Sequence, residues 1–118
     1  DYSRLVDSNG LYNHSMFLFN TIANKRNPPF PVILHQILCN KDYENIICWL
    51  PHGRSWRIID VSALEREVIP KYFRHTRYTS FLRQVNGWGF CRVSQGADMN
   101  SYYHELFVRG RHHVCLKM

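Results

Sequence analysis

The 118-residue sequence predicts an α+β fold: a winged helix-turn-helix, three helices with a small antiparallel β-sheet. Three observations lead there. Hydrophobic periodicity switches along the chain in the order helix, strand, strand, helix, turn, helix, strand, strand. The turn between the second and third helices is short. Around it, residues 71–92, KYFRHTRYTSFLRQVNGWGFCR, carry Lys71, Arg74, Arg77, Arg83 and Arg92 and no acid, the nearest carboxylates being Glu67 and Asp98.

Each element has a local justification. Residues 1–28 scatter their apolar groups, hold an NPP turn at 27–29 and read as a flexible leader with a short apolar patch at 16–19. Residues 29–118 form the domain. In FPVILHQILC, residues 30–39, apolar side chains recur at Phe30, Ile33, Leu34, Ile37 and Leu38, a helix opened by proline. IICWL, residues 46–50, is a short buried strand. The turn Pro51-His52-Gly53-Arg54 follows, and residues 55–59 return as its hairpin partner.

Residues 62–73 form the second helix. Ser62 and Glu65 have capping-box spacing, and Pro70 lacks an N–H and collides with the carbonyl four residues back, so a kink or bulge is expected there. After a turn at 75–77 comes the third helix, residues 78–86, which Gly87 and Gly89 end. Residues 90–94 and 102–108 close the sheet as a hairpin, with Gly96 the flexible point of the loop at 95–101. Trp49, Trp56, Phe73, Phe81 and Phe90 are core candidates, and one of Tyr102 and Tyr103 should face outward.

The third helix carries the functional signal. At 100° per residue, Ser80, Arg83, Gln84 and Gly87 share one arc, Phe81, Leu82, Val85 and Trp88 take the opposite side, and Asn86 sits at the boundary. The inner face can be buried while Arg83 and Gln84 point out. An ordinary solvated helix shares that periodicity, but solvated faces usually mix charge signs. A one-signed patch on a chain of net charge +6 is the footprint of a nucleic-acid binder.

Composition bounds the alternatives. Hydrophobic residues at 45% and aromatics at 14% suffice for a core, and no run of 18 apolar residues would span a membrane. The start DYSRLVDSNG is not a signal peptide, and the chain reads as a domain cut from a longer protein. Cys39, Cys48, Cys91 and Cys115 form no CxxC pair and the seven histidines have no finger-like spacing. The cysteines read as separate reduced thiols, His112-His113 as part of a polar tail, and neither a metal nor a cofactor is expected. No Gly-rich phosphate loop or nucleophile elbow points to an enzyme. A winged helix that binds a protein, or DNA by shape alone, remains open; it would show no base preference.

WLPHGRSW at 49–56, EVIPKYFRH at 67–75, SFLRQVNGWGF at 80–90 and FVRG at 107–110 together resemble the DNA-binding domain of heat shock transcription factors, over about residues 30–110. The resemblance implies a winged helix-turn-helix that binds double-stranded DNA of heat shock element type, as part of a nuclear transcription regulator. It implies that Arg83, in the S-F-x-R-Q pattern, reads the guanine of an nGAAn unit in the major groove, where a guanidinium fork matches O6 and N7. It further implies groove or backbone contacts by Ser80, Gln84, Asn86, Arg74, Arg92 and Arg109, with Lys71 a weaker member. Arg74 could instead cap the second helix, and Gln84 could simply be solvated. Such a parent would be a homotrimer through a coiled coil absent from these residues, the isolated domain a monomer. Three positions depart from the family pattern: Gly87-Trp88 replaces a larger residue followed by Tyr, Cys91 stands where a basic residue is common, and the closing loop is short.

Overall fold

The computed structural model describes residues 28–74 and 77–118; the expected leader with its apolar patch, and most of the turn at 75–77, lie outside them. Helix α1 spans Phe30–Cys39 and starts at Pro29, whose carbonyl accepts the Val32 and Ile33 N–H groups at 3.0 and 3.3 Å. Val32, Leu34 and Ile37 are fully buried along it. A 3₁₀ turn at Lys41–Tyr43 follows, opened by the Asn40 side chain accepting from the Asp42 N–H.

Strands β1 (Ile47–Trp49) and β2 (Trp56–Ile58) pair antiparallel in the register Ile47↔Ile58, Cys48↔Arg57, Trp49↔Trp56. The hairpin forms as expected, one residue shorter at each end of each strand. Gly53, at φ +73°, turns the chain between them.

Helix α2, residues 61–72, is one continuous helix with an internal defect: Val61–Ala63 is α-helical, Leu64–Val68 is a π-turn, and Ile69–Tyr72 is α-helical again. The Ile69 N–H reaches back five residues to the Leu64 carbonyl. This is the bulge expected at Pro70: widening the turn clears the ring, and the extra residue is absorbed as a π-bulge. The expected capping box does not form. Asp60 caps the helix, accepting from the Ala63 N–H at 3.0 Å, because the helix begins at Val61, two residues earlier than a Ser62 cap implied. Ser62 accepts from Arg66 instead.

Helix α3, Tyr78–Gly87, buries Phe81 and Val85 completely and leaves Leu82 and Trp88 half-buried. Phe81 meets Phe30 and Phe73 at centroid distances of 5.5 and 6.1 Å, fastening α3 to α1 and to the end of α2. The helix ends in a Schellman arrangement: the Phe90 N–H donates to the Val85 carbonyl and the Gly89 N–H to Asn86, with Gly89 at φ +86°. Gly89 alone makes the stop; Gly87, expected to share it, is still helical.

Strands β3 (Cys91–Arg92) and β4 (Tyr102–Tyr103) complete a four-stranded sheet of order β1-β2-β4-β3. The closing hairpin is thus shorter than 90–94 and 102–108 suggested, because the chain leaves the ladder at a tight turn bridging His104 and Phe107. Trp56, with no exposed surface, stacks on Tyr102 at 5.0 Å and meets the edge of Phe90 at 5.6 Å. Tyr102 is therefore the inward and Tyr103 the outward residue of the pair. The chain ends in a short helix α4, His112–Cys115, packed on α1. His112 and Cys115 are 4% and 2% exposed, so this segment is not the polar tail that its histidines suggested: Cys115 joins the core.

Candidate nucleic-acid interface

Burial of Phe81 and Val85 fixes the rotation of α3. Arg83, Gln84, Asn86 and Gly87 consequently lie exposed on the opposite arc, and Ser80 is half-exposed at its start. A Cβ built on Gly87 would meet nothing within 4 Å, so the end of this arc is open. Among the described residues the acid–base pairs are His52–Asp98 at 2.9 Å and Arg66–Glu67 at 3.1 Å. Neither involves the arc, and both nearby carboxylates flanking the basic stretch are thereby engaged elsewhere.

One acid does approach α3 in space. Glu65, on the π-turn of α2, accepts the Tyr78 N–H through Oε2 at 2.8 Å. Arg77, at the N-cap position, supplies no side-chain cap, so a carboxylate thirteen residues back takes its place. The contact satisfies a free N–H, opposes the positive end of the helix and sets the start of α3 against α2. Nothing in the sequence signalled it, since Glu65 had the spacing of a local capping box.

The remaining predicted residues fall into separate groups. Arg92 lies at the root of the wing, its Nη2 donating to Asn100 Oδ1 at 2.6 Å. Asn100 itself is at φ +72° and donates its N–H to the Val93 carbonyl, so the wing loop orients this arginine. Burial pushes the Tyr78 phenol up and Tyr102 adds to that, with the charge of Arg92 offsetting only part of the rise. Cys91, beside Arg92, is exposed. Lys71 holds its ammonium 5.9 Å from the centre of the Tyr43 ring, a cation–π position at the end of α2, where Arg74 is also exposed.

Arg109 is placed differently. Its Nη2 donates to the Pro51 carbonyl at 2.9 Å and its backbone N–H to Gly53. A Cβ on Gly53 would come within 3.1–3.2 Å of the Arg109 side chain. The arginine closes the turn between β1 and β2, where the tight approach and the φ of +73° together favour glycine. Asp98 pins the wing loop to the same turn through His52. Sequence reasoning missed Asn100 and His52 as supports of the wing; an Asn able to adopt positive φ was the one available signal.

An exposed, acid-poor helix seated on an aromatic core, with a short wing beside it, defines the class: a winged helix-turn-helix domain that presents its third helix. The chain belongs to the HSF-type DNA-binding family, whose model matches residues 30–118. It is 36% identical over 93 residues to heat shock factor protein 1 of Homo sapiens, covering 71% of this chain and 18% of that protein. It is 32% identical over 105 residues to heat stress transcription factor A-1a of Arabidopsis thaliana, covering 89% and 20%. The chain thus spans about a fifth of the length of these curated relatives. Among solved structures, Chaetomium thermophilum Skn7 with HSE DNA superposes with a TM-score of 0.63 at 27% identity, over 70% of this chain and 89% of that one. A heat shock transcription factor DNA-binding domain with cognate DNA gives 0.56 at 31% identity, over 66% and 99%. Within the described residues no helix is long and apolar enough to cross a membrane.

Proposed function

We propose that this domain binds double-stranded DNA sequence-specifically, laying α3 in the major groove to read nGAAn units of inverted repeats, within a nuclear transcription regulator. The observation that carries the reading is the position of Arg83: exposed, central on the outer arc, and held there by the complete burial of Phe81 and Val85 behind it. A guanidinium so placed can offer two parallel N–H donors to guanine O6 and N7. Ser80, Gln84 and Asn86 flank it and contact the groove or the sugar–phosphate backbone. Arg92, Arg74 and Lys71 neutralise phosphates, which adds salt-dependent affinity and fixes register. Arg109 acts one step back, by shaping the turn that braces the wing. The parent assembles as a homotrimer outside these residues, and the isolated domain is a monomer.

Selection from a random duplex pool at stated salt tests the reading. The native domain enriches GAA-containing duplexes, and Arg83→Ala loses about 1–3 kcal/mol of affinity for them while flattening base preference. Unchanged preference in the variant removes Arg83 from the reading role.

A further inference from the structure

Three potential metal ligands converge at the seam between α1 and α4. His35 and Cys39 are four residues apart on α1, hence on one face of that helix. His112 is the first residue of α4, which packs across them. Cys39 Sγ lies 3.5 Å from His35 Nδ1 and 3.5 Å from His112 Nε2, and the ligand atoms of the three residues all lie within 4.8 Å of one another. For a tetrahedral zinc ion with Zn–S of about 2.3 Å and Zn–N of about 2.0–2.1 Å, the S···N separation is about 3.5 Å.

Two further features suit a metal. His35 Nε2 lies 2.9 Å from the Val108 carbonyl, which can only accept, so this nitrogen carries the hydrogen and Nδ1 turns its lone pair toward the sulfur. That is the outer-shell arrangement that orients a ligating histidine. His35 and His112 are buried, and although Cys39 is exposed as a residue, burial of its sulfur pushes the thiol up to about 12, so zinc has to displace a bound proton there, with water completing the tetrahedron.

We propose that His35 Nδ1, Cys39 Sγ and His112 Nε2 bind a zinc(II) ion that clamps α4 onto α1. On binding, the Cys39 S–H bond breaks and its proton passes to solvent as the S–Zn bond forms. The clamp is independent of the DNA-reading surface, which lies on α3.

Cobalt(II) added to the chelator-treated 118-residue chain is the test. The expected result is one equivalent bound, with a thiolate-to-cobalt charge-transfer band and the intense visible bands of a tetrahedral site, both abolished when zinc displaces it. Cys39→Ser loses the charge-transfer band. His112→Gln weakens zinc binding by at least the roughly 10–100-fold seen for losing an outer-shell partner alone. Zinc raises the unfolding temperature of the native chain and not that of either variant. Far-ultraviolet circular dichroism of the metal-free variants separates loss of binding from loss of fold. Cobalt binding without a thiolate band overturns the proposal. So does a band that survives in Cys39→Ser but disappears in Cys115→Ala, and so does undiminished zinc affinity in His112→Gln when that variant is folded.

Discussion

Replacing Glu65 separates the support of the reading helix from the reading itself. Its carboxylate is 2.8 Å from the Tyr78 N–H, at the start of a ten-residue helix whose own N-cap residue contributes no side-chain bond. Removing a helix cap costs about 0.5–2 kcal/mol, and a carboxylate beside the positive helix end adds about 0.3–1 kcal/mol at low salt. Glu65→Ala loses both, so about 0.8–3 kcal/mol is expected, equivalent to a fall of roughly 3–24 °C in the unfolding temperature of a domain this size. Glu65→Gln keeps an oxygen acceptor and loses only the charge, so about 0.3–1 kcal/mol is expected. The difference between Gln and wild type should shrink as salt is raised, while the difference between Ala and Gln should persist, since screening acts on the charge and not on the hydrogen bond. Thermal unfolding of the three proteins at two salt concentrations reads all of this. Binding adds a second axis: both variants remove a negative charge beside α3, so affinity for random duplex rises, while in Glu65→Ala the frayed helix start lowers the ratio of specific to random affinity. An alanine variant that unfolds at the wild-type temperature would refute the role assigned to Glu65.

Other perturbations address the wing, the helix end and the core. Arg92→Ala should weaken GAA-containing and random duplexes alike and reduce the salt slope by about one unit; altered base choice in the selection would contradict a phosphate role. Gly87→Ala should stabilise the domain by about 0.5–1 kcal/mol, since the position is helical and open, yet weaken duplex binding by placing a methyl group on the reading arc; a variant improved on both counts would show that DNA does not come close at Gly87. Gly89→Ala should cost about 1–2 kcal/mol from its φ of +86° alone, because the added Cβ would stand an ordinary 3.5 Å from the His104 ring; denaturant unfolding measures it. Phe81→Ala should cost about 3–5 kcal/mol, as this fully buried ring joins three elements, and a cost below about 1 kcal/mol would mean that α3 is not anchored through it.

What could be read from the sequence was whatever a few neighbouring residues decide together. The hairpin at Gly53, the bulge at Pro70 and the rotation of α3 follow from backbone preference and period, and the fold shows all three. The stop at Gly89 was half legible: two glycines lay at the helix end, and which one takes the positive φ depends on Phe90 and Val85 being drawn into the core together. Of the candidate site, the composition of the exposed arc was legible because it is the complement of the apolar face. The partners of its flanking cations were not. Arg109 is separated by 58 residues from the carbonyl it donates to, and Glu65 by 13 from the N–H it caps. Such pairings depend on the packing of whole elements.

The same distinction explains why an acid-free stretch in sequence is not an acid-free surface in space. Counting charges along residues 71–92 left Glu65 outside the patch, yet folding delivers it to the positive end of α3, where it acts on the helix rather than on a neighbouring arginine. The resulting asymmetry suits a reader of DNA. A negative charge at the start of α3 is satisfied by a backbone N–H, while Arg83, one turn and a half further on, belongs to neither of the acid–base pairs found among the described residues. On the proposed docking, a partner with phosphates on both sides of a groove would be met by cations from the wing and from the end of α2, and by a central guanidinium that is ion-paired with no acid among the described residues. On that proposed docking the capping carboxylate favours specificity over raw affinity: it would oppose phosphates at the helix start, while it anchors the element on which the proposed base contact depends.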